Sequence, residues 1–537
     1  MQGLASSRLA CSALAIILVA ALAACDLQRT SSTGEGAAFL DRAEGEALEA
    51  WITAERAAWV RANFITPDTT LIAAAAEAEK IGVESRLARE AARYSDLELP
   101  DEQARKLLIL RTMANLPAPA DAAKTAELAR ITTSLKSAYG AGKYCPEDGE
   151  CLELEEMENI LIDSRDPDEL LDVWQGWRTV SVPMRKDFER YVEIANEGAR
   201  ELGFADLGAL WRAKYDMTPD EFATDVDRIW QQVKPLYDQL HCYVRYKLAE
   251  RYGEGEVPLD GPIPAHLLGN MWAQDWQHIA DLVLPGDADP GYDLTALLRE
   301  RDVDALEMVR VGERFFSSLG FEELPETFWE RSLFVKPDDR DVVCHASAWD
   351  IDWVDDLRLK MCIEIESEDF ITVHHELGHN YYQRAYGHLD PLFRDSANDG
   401  FHEALGDTLA LSITPAYLVQ LGFLDSAPNG DVVAMQLKTA LDKIAFLPFG
   451  LLVDRYRWQV FAGEISPEEY NSAWWELRER YQGVRPPVPR GEEFFDPGAK
   501  YHIANNTPYT RYFLAAVLHY QFHRALCEAI DFEGPLH

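Results

Sequence analysis

The chain has 537 residues and carries 51 Lys and Arg against 92 Asp and Glu, a formal net charge of −41. Such an acidic surface repels phosphate and argues against a nucleic-acid partner. The length exceeds what one hydrophobic core organises, and 47% hydrophobic residues are enough for two domains or one large two-lobed domain.

The N-terminus reads as an address rather than as fold. Arg8 precedes an apolar run from Leu9 to Ala24, too short to span a bilayer comfortably and of signal-peptide form. It ends in Leu22-Ala23-Ala24-Cys25, which resembles a bacterial lipobox, so residues 1–25 are expected to be a lipoprotein signal peptide with Cys25 lipidated. An ordinary cleaved secretory signal is the alternative. Either way the mature chain is expected in the periplasm-facing cell envelope, with the membrane reached only through the lipid anchor. Disulfides are allowed there. Residues 26–37 are polar and rich in Gly, Ser and Thr, and read as a flexible tether before a catalytic domain over 38–537.

From Phe39 to Ser137 the chain is rich in Ala, Glu, Leu and Arg with helical periodicity, as in residues 50–64 and 101–116, with Pro117 and Pro119 breaking the pattern. Helical patterns continue over 152–250, including one from Trp230 to Arg251. Strand-like runs are few: 331–337, 341–349 and 358–365, the last two forming a hairpin pattern across a polar turn. The expectation is a mainly α fold with a small β-hairpin. Cys145 and Cys151 bracket one turn, Cys344 and Cys362 flank the hairpin, and Cys242 and Cys527 remain; spacing alone does not fix the connectivity.

Just after the hairpin lies His375-Glu376-Leu377-Gly378-His379. On a helix the two histidines, four residues apart, project from one face and can grip a zinc ion, with Glu376 beside them to poise a water. Alone, this pattern also fits a polar helix with solvated histidines. A catalytic zinc needs a third protein ligand, and Glu403 in GFHEALGD is the candidate, with Asp407 one turn on to fix the tautomer of a ligating histidine. Residues 496–513 then offer Lys500, His502, Tyr509, Arg511 and Tyr512 as donors for a developing oxyanion.

HHELGHN, GFHEALGD, VCHASAWD, HLLGNMWAQ, GPIPAHLL and FDPGAKYHI…PYTRYF together resemble the angiotensin-converting-enzyme type of peptidyl-dipeptidase, from roughly Phe39 to the end. The resemblance implies a two-lobed gluzincin-type zinc metallopeptidase with a deep central channel, expected to be a monomer acting on oligopeptides. Its implied ligands are His375, His379 and Glu403, with Glu376 as general base and His502 and Tyr512 as oxyanion donors. His345 and the backbone of Ala346 and Ala348 match the groups that hold the peptide as an added strand. Gln274, Lys500 and Tyr509 match the clamp for the substrate's C-terminal carboxylate, which sets release of dipeptides; Glu155 matches a position near the terminal side chain. Chloride is implied at Arg511 with Tyr215, and at a second site with Trp474 and Arg478 whose remaining arginine is not placed by the match, although Arg185 lies nearby. Cys145–Cys151 and Cys344–Cys362 match family disulfides. The family continues for several helices past the GPLH where this sequence stops, and the family partner of Cys527 lies there, so a shortened member or an incomplete sequence is expected. A related zinc carboxypeptidase or endopeptidase, or a peptide-binding lipoprotein without catalysis, are the competing readings.

Overall fold

The computed structural model describes residues 5–146, 149–285, 292–340, 342–427 and 431–532, with side chains from Thr33 onward. Among them helices dominate, joined by long loops and with two small two-stranded sheets. The largest core gathers buried side chains from 88–283 and 441–513. A second core is built from 294–424. A third, smaller one joins Phe39, Leu40, Ala43 and Trp51 of the first helix to Leu87, Leu107 and Leu392. The two-lobed expectation therefore has a physical basis in two large and separate apolar clusters.

The first helix runs from Ala5 to Asn63, so residues 26–37, expected as a flexible tether, are helical instead. Elongating a helix from a packed segment costs far less than starting one, and Phe39 and Leu40 are fully packed just beyond. The signal-peptide reading of 1–25 and the lipidation of Cys25 concern side chains outside those described. The second long helical pattern, seen from Trp230 to Arg251, is the core of a helix from Pro219 to Tyr252, with Thr218 and Glu221 forming a capping box at its start.

Helix Ser367–Tyr386 carries the HExxH motif. Its Phe370, Val373, Leu377 and Tyr381 recur at helical spacing and are buried in the second core. That burial leaves His375 and His379 facing the side chains of the next helix, His402, Glu403 and Asp407. Helix Asp399–Ala410 follows, capped by Asn398, whose side chain accepts from the Gly400 amide at 3.1 Å. It lies between the HExxH helix and the last described helix, Thr510–Ala529.

The hairpin is present but shorter than its sequence pattern. Ser347–Asp350 pairs antiparallel with Leu357–Lys360, Ser347 opposite Lys360 and Asp350 opposite Leu357. The chain before Ser347 leaves the ladder because Lys360 Nζ takes the carbonyls of Val343 and His345, each at 2.6 Å, and the Cys344–Cys362 disulfide clamps the same point. The strand expected over 331–337 contributes a single bridge, Leu333 to Lys360. Cys145 and Cys151 form the other disulfide, and Cys242 and Cys527 are free.

Candidate metal centre and peptide site

His375, Glu376 and His379 bring their ligand atoms within 4.8 Å of one another. His375 Nδ1 lies 3.1 Å from Asp407 Oδ1, which leaves Nε2 free, and that atom sits 3.6 Å from Glu403 Oε2. Burial pulls the His375 pKa down, but hydrogen bonds to Asp407 and Glu403 outweigh it and raise the value to about 10. Two carboxylates thus hold a positive charge where His375 Nε2 meets Glu403, the place a divalent cation would take. Two imidazoles and one ligating carboxylate, with an acid fixing the ring behind the first, are the donor set zinc prefers.

His379 has a support the sequence reading did not name. Its Nδ1 lies 3.1 Å from His402 Nδ1, and His402 Nε2 lies 2.9 Å from the Tyr386 hydroxyl. If His379 binds metal through Nε2, its Nδ1–H donates to His402, whose Nε2–H then donates to Tyr386. The signal lay in GFHEALGD, where His402 directly precedes Glu403. Gly406 of the same motif is equally functional. A Cβ on it would stand 2.8 Å from His375 Nδ1, and one on Gly378 would stand 3.0 Å from the Gly406 Cα. The two ligand helices therefore meet glycine against glycine.

Glu376 is 8% exposed. Burial raises its pKa and Glu403 adds to the rise, while His375, the Ala348 backbone and Lys360 oppose it. Ala348 thus reaches Glu376 through the hairpin, and His345, three residues before it, is held in neutral form by burial and Lys360. Ala346 packs against the second core.

The opposite wall comes from the first lobe. His502 and Tyr512 stack edge to face with centroids 5.4 Å apart. Burial, then nearby Lys500 and Arg457, keep His502 neutral. Burial and the negative charge of Glu403 push the Tyr512 phenol up to about 12, so it remains a donor. Lys500 Nζ donates to Gln274 Oε1 at 2.6 Å, and the Tyr509 hydroxyl to the same oxygen at 3.4 Å. The three clamp residues, 226 and 235 positions apart from Gln274, are thus gathered at one point. Burial lowers Lys500 to about 7 even though Glu158 and Asp275 favour its charge. Its ammonium also lies 4.0 Å from the Trp272 ring. Glu155 is exposed on the first turn of helix Leu154–Asp163, and it is Glu158, one turn on, that interacts with Lys500. An i, i+3 count from Glu155 would have found it.

Arg511 and Tyr215 come together on a shared partner, Asp399. The Tyr215 hydroxyl donates to Asp399 Oδ1 at 2.5 Å, and Arg511 Nη2 lies 3.2 Å from Oδ2. A second buried arginine, Arg178, lies near Arg478. Both Arg178 and Arg478 are buried, with Nη2 bonded to the carbonyls of Met271 and Trp272 at 2.8 Å, and the Nε of each is without a partner. Arg185 instead pairs with Glu492 at 2.9 Å. Arg178 sits four residues after Trp174 on the buried face of its helix, an unusual place for a cation and the available signal.

A helical fold with HExxH, a downstream glutamate on the next helix and an acid behind the first histidine has the build of the zinc metallopeptidase class. The chain matches the angiotensin-converting enzyme family over residues 30–537 and belongs to it. It is 45% identical to the angiotensin-converting enzyme of Bos taurus over 429 residues, 78% of this chain and 33% of that protein. To that of Theromyzon tessulatum it is 43% identical over 421 residues, 76% of this chain and 68% of the relative. The chain thus spans about a third of the mammalian relative's length.

Proposed function

We propose that this protein is a zinc-dependent peptidyl-dipeptidase that releases dipeptides from the free C-termini of oligopeptides. The reading is carried by the Lys500–Gln274–Tyr509 cluster, a carboxylate clamp set in one lobe against metal ligands set in the other. When bound at His375, His379 and Glu403, zinc supplies a Lewis acid that acidifies water and polarises the scissile carbonyl. Glu376, with its pKa raised by burial, accepts the water's proton and passes it to the leaving amine. Tyr512 and neutral His502 donate toward the oxygen on which charge develops. Strand Ser347–Asp350 is paired along one edge only among the described residues, which leaves the other for an extended peptide. Clamping the terminal carboxylate fixes the register, so that the second peptide bond from the end meets the metal.

An N-blocked tripeptide is the direct test. A free dipeptide should appear, its appearance should stop with a chelator and return with zinc, and a C-terminally amidated version should react far more slowly. Release of single amino acids would signify a carboxypeptidase, and equal cleavage of the amide an endopeptidase.

Chloride binding at Arg178, Arg478 and Trp474 belongs to the same proposal. Two buried guanidiniums with free Nε atoms call for an anion, and Arg478 is lowered to about 9 by burial. The cell-envelope location and lipid anchor at Cys25 rest on Leu22-Ala23-Ala24-Cys25, and labelling with a fatty-acid analogue that fails on Cys25→Ala would support them.

A further inference from the structure

Asp399 is the first residue of the helix that also carries His402, Glu403 and Asp407. It lies one turn before Glu403 and shares its face. Its two carboxylate oxygens are used by two different elements. Oδ1 accepts from Tyr215 and Oδ2 faces Arg511, which lies in the first turn of the helix bearing Tyr512. The Asp399 and Arg511 side chains are only 20% and 21% exposed. A guanidinium so enclosed needs an anion beside it, since an unpaired buried charge is costly. Here the chain provides that anion. Burial pulls Arg511 down, but Asp399 and neighbouring groups hold it above its usual range. Burial and Asp399 together keep the Tyr215 phenol protonated, so it donates to Asp399. The Tyr215 hydroxyl is satisfied and the Arg511 charge is countered, with only Arg511 Nε left without a partner, and a second anion arriving there would meet a fixed carboxylate.

We infer that Asp399 is a resident counter-ion that occupies the anion position between Arg511 and Tyr215, so that no exchangeable chloride is needed there. It is a positioning residue. It ties the helix of ligand Glu403 to the helix of donor Tyr512, and sets their spacing without salt from solution. The expectation of chloride at Arg511 and Tyr215 is thereby replaced by an internal carboxylate.

The test removes the carboxylate and offers it back from solution. With a dipeptide-releasing substrate at constant ionic strength, Asp399→Ala should lose about a hundredfold in kcat without small anions, the order expected from ångström-scale misplacement of a catalytic group. Chloride or formate should restore most of that loss in the variant. The kinetic arm rests on the peptidase reading, so a second arm does not use turnover. Crystals soaked in bromide should show the halide between Arg511 and Tyr215 in Asp399→Ala and none at that position in the wild type. Bromide beside Arg511 in the wild type would overturn the inference, and this measurement stands even if the variant does not fold. A folded variant that neither binds bromide there nor responds to chloride or formate would overturn it as well.

Discussion

Glu376 sits between two demands. A base must be ionised to accept a proton, yet burial against Glu403 favours its neutral form. Glu376→Gln keeps the shape and the three ligands but removes the basic oxygen, so zinc content should stay stoichiometric while kcat falls by about 10³-fold. Atomic absorption and a peptide assay on one sample check both halves, and a variant cleaving at the wild-type rate would remove Glu376 from its role. Lys500 makes a different prediction. With a free-protein pKa of about 7, it is charged below that pH and ready for a carboxylate. Above it, binding must first take up a proton, because a bound carboxylate restores the ammonium. KM for a free-acid peptide should therefore be flat below pH 7 and rise above it by up to about tenfold per unit, with no such rise for the amide. At this scale candidates were legible because each role demands a residue type, and the motifs offer imidazole, carboxylate, phenol and ammonium at fixed positions. What was not legible depends on three-dimensional neighbours. Asp399 reads as an ordinary acid in a helix's first turn until Tyr215 and Arg511 are seen on it, and Arg178 reads as a helix-end cation until Arg478 is seen beside it.

Among the elements, the two ligand helices do most of the positioning, and their closeness depends on Gly378 and Gly406. Adding a methyl at an interior helical glycine ordinarily stabilises by about 0.5–1 kcal/mol. At Gly406 the new Cβ would meet the His375 ring at 2.8–3.0 Å, so the ring must move and its bond to Asp407 breaks. Gly406→Ala should keep its helix content and lose zinc affinity by roughly 10–100-fold, the scale of losing a ligand's supporting hydrogen bond. Competition with a chromophoric chelator measures it. The relay behind His379 predicts a graded series by the same assay. His402→Ala should weaken zinc by roughly tenfold or more, and Tyr386→Phe by less, since it removes only the outer hydrogen bond. Unchanged affinity in His402→Ala would mean that packing alone orients His379. Helical elements were readable from periodicity, because Phe370, Val373, Leu377 and Tyr381 repeat with the turn. The hairpin's ends were not, since alternation continues through residues that Lys360 and the Cys344–Cys362 disulfide pull out of register. That disulfide closes a loop of 18 residues, worth about 3 kcal/mol of chain entropy.

Across the whole molecule, the metal site lies where helices packed on the second core meet the last helix, which enters the first core. The HExxH helix belongs to the second core through Phe370, Val373 and Leu377. Glu403 lies on a helix fastened to the last helix by Asp399–Arg511 and by Thr408 Oγ1, which donates to the His519 carbonyl at 3.3 Å. That last helix enters the first core at Phe513 and Ala515 is buried with it. A cation held by His375, His379 and Glu403 therefore ties the HExxH helix to the helix that also braces the last helix, and its binding energy adds to the stability of that junction. Free zinc at a hundred times its dissociation constant should stabilise the folded chain by about 2.7 kcal/mol. Calorimetry should show the unfolding midpoint falling with a chelator and recovering with zinc. The variants separate this from general ion effects: Glu376→Gln, which retains every ligand, should keep the zinc-dependent shift, whereas His379→Ala should lose most of it. If the zinc-loaded and zinc-free proteins melted together, the clusters would be joined by protein contacts alone, and the ligands would act on chemistry without bearing on architecture. The stabilisation should also grow between pH 5 and neutrality, because zinc must displace the proton that Asp407 and Glu403 favour on His375, and that displacement becomes easier as proton activity falls.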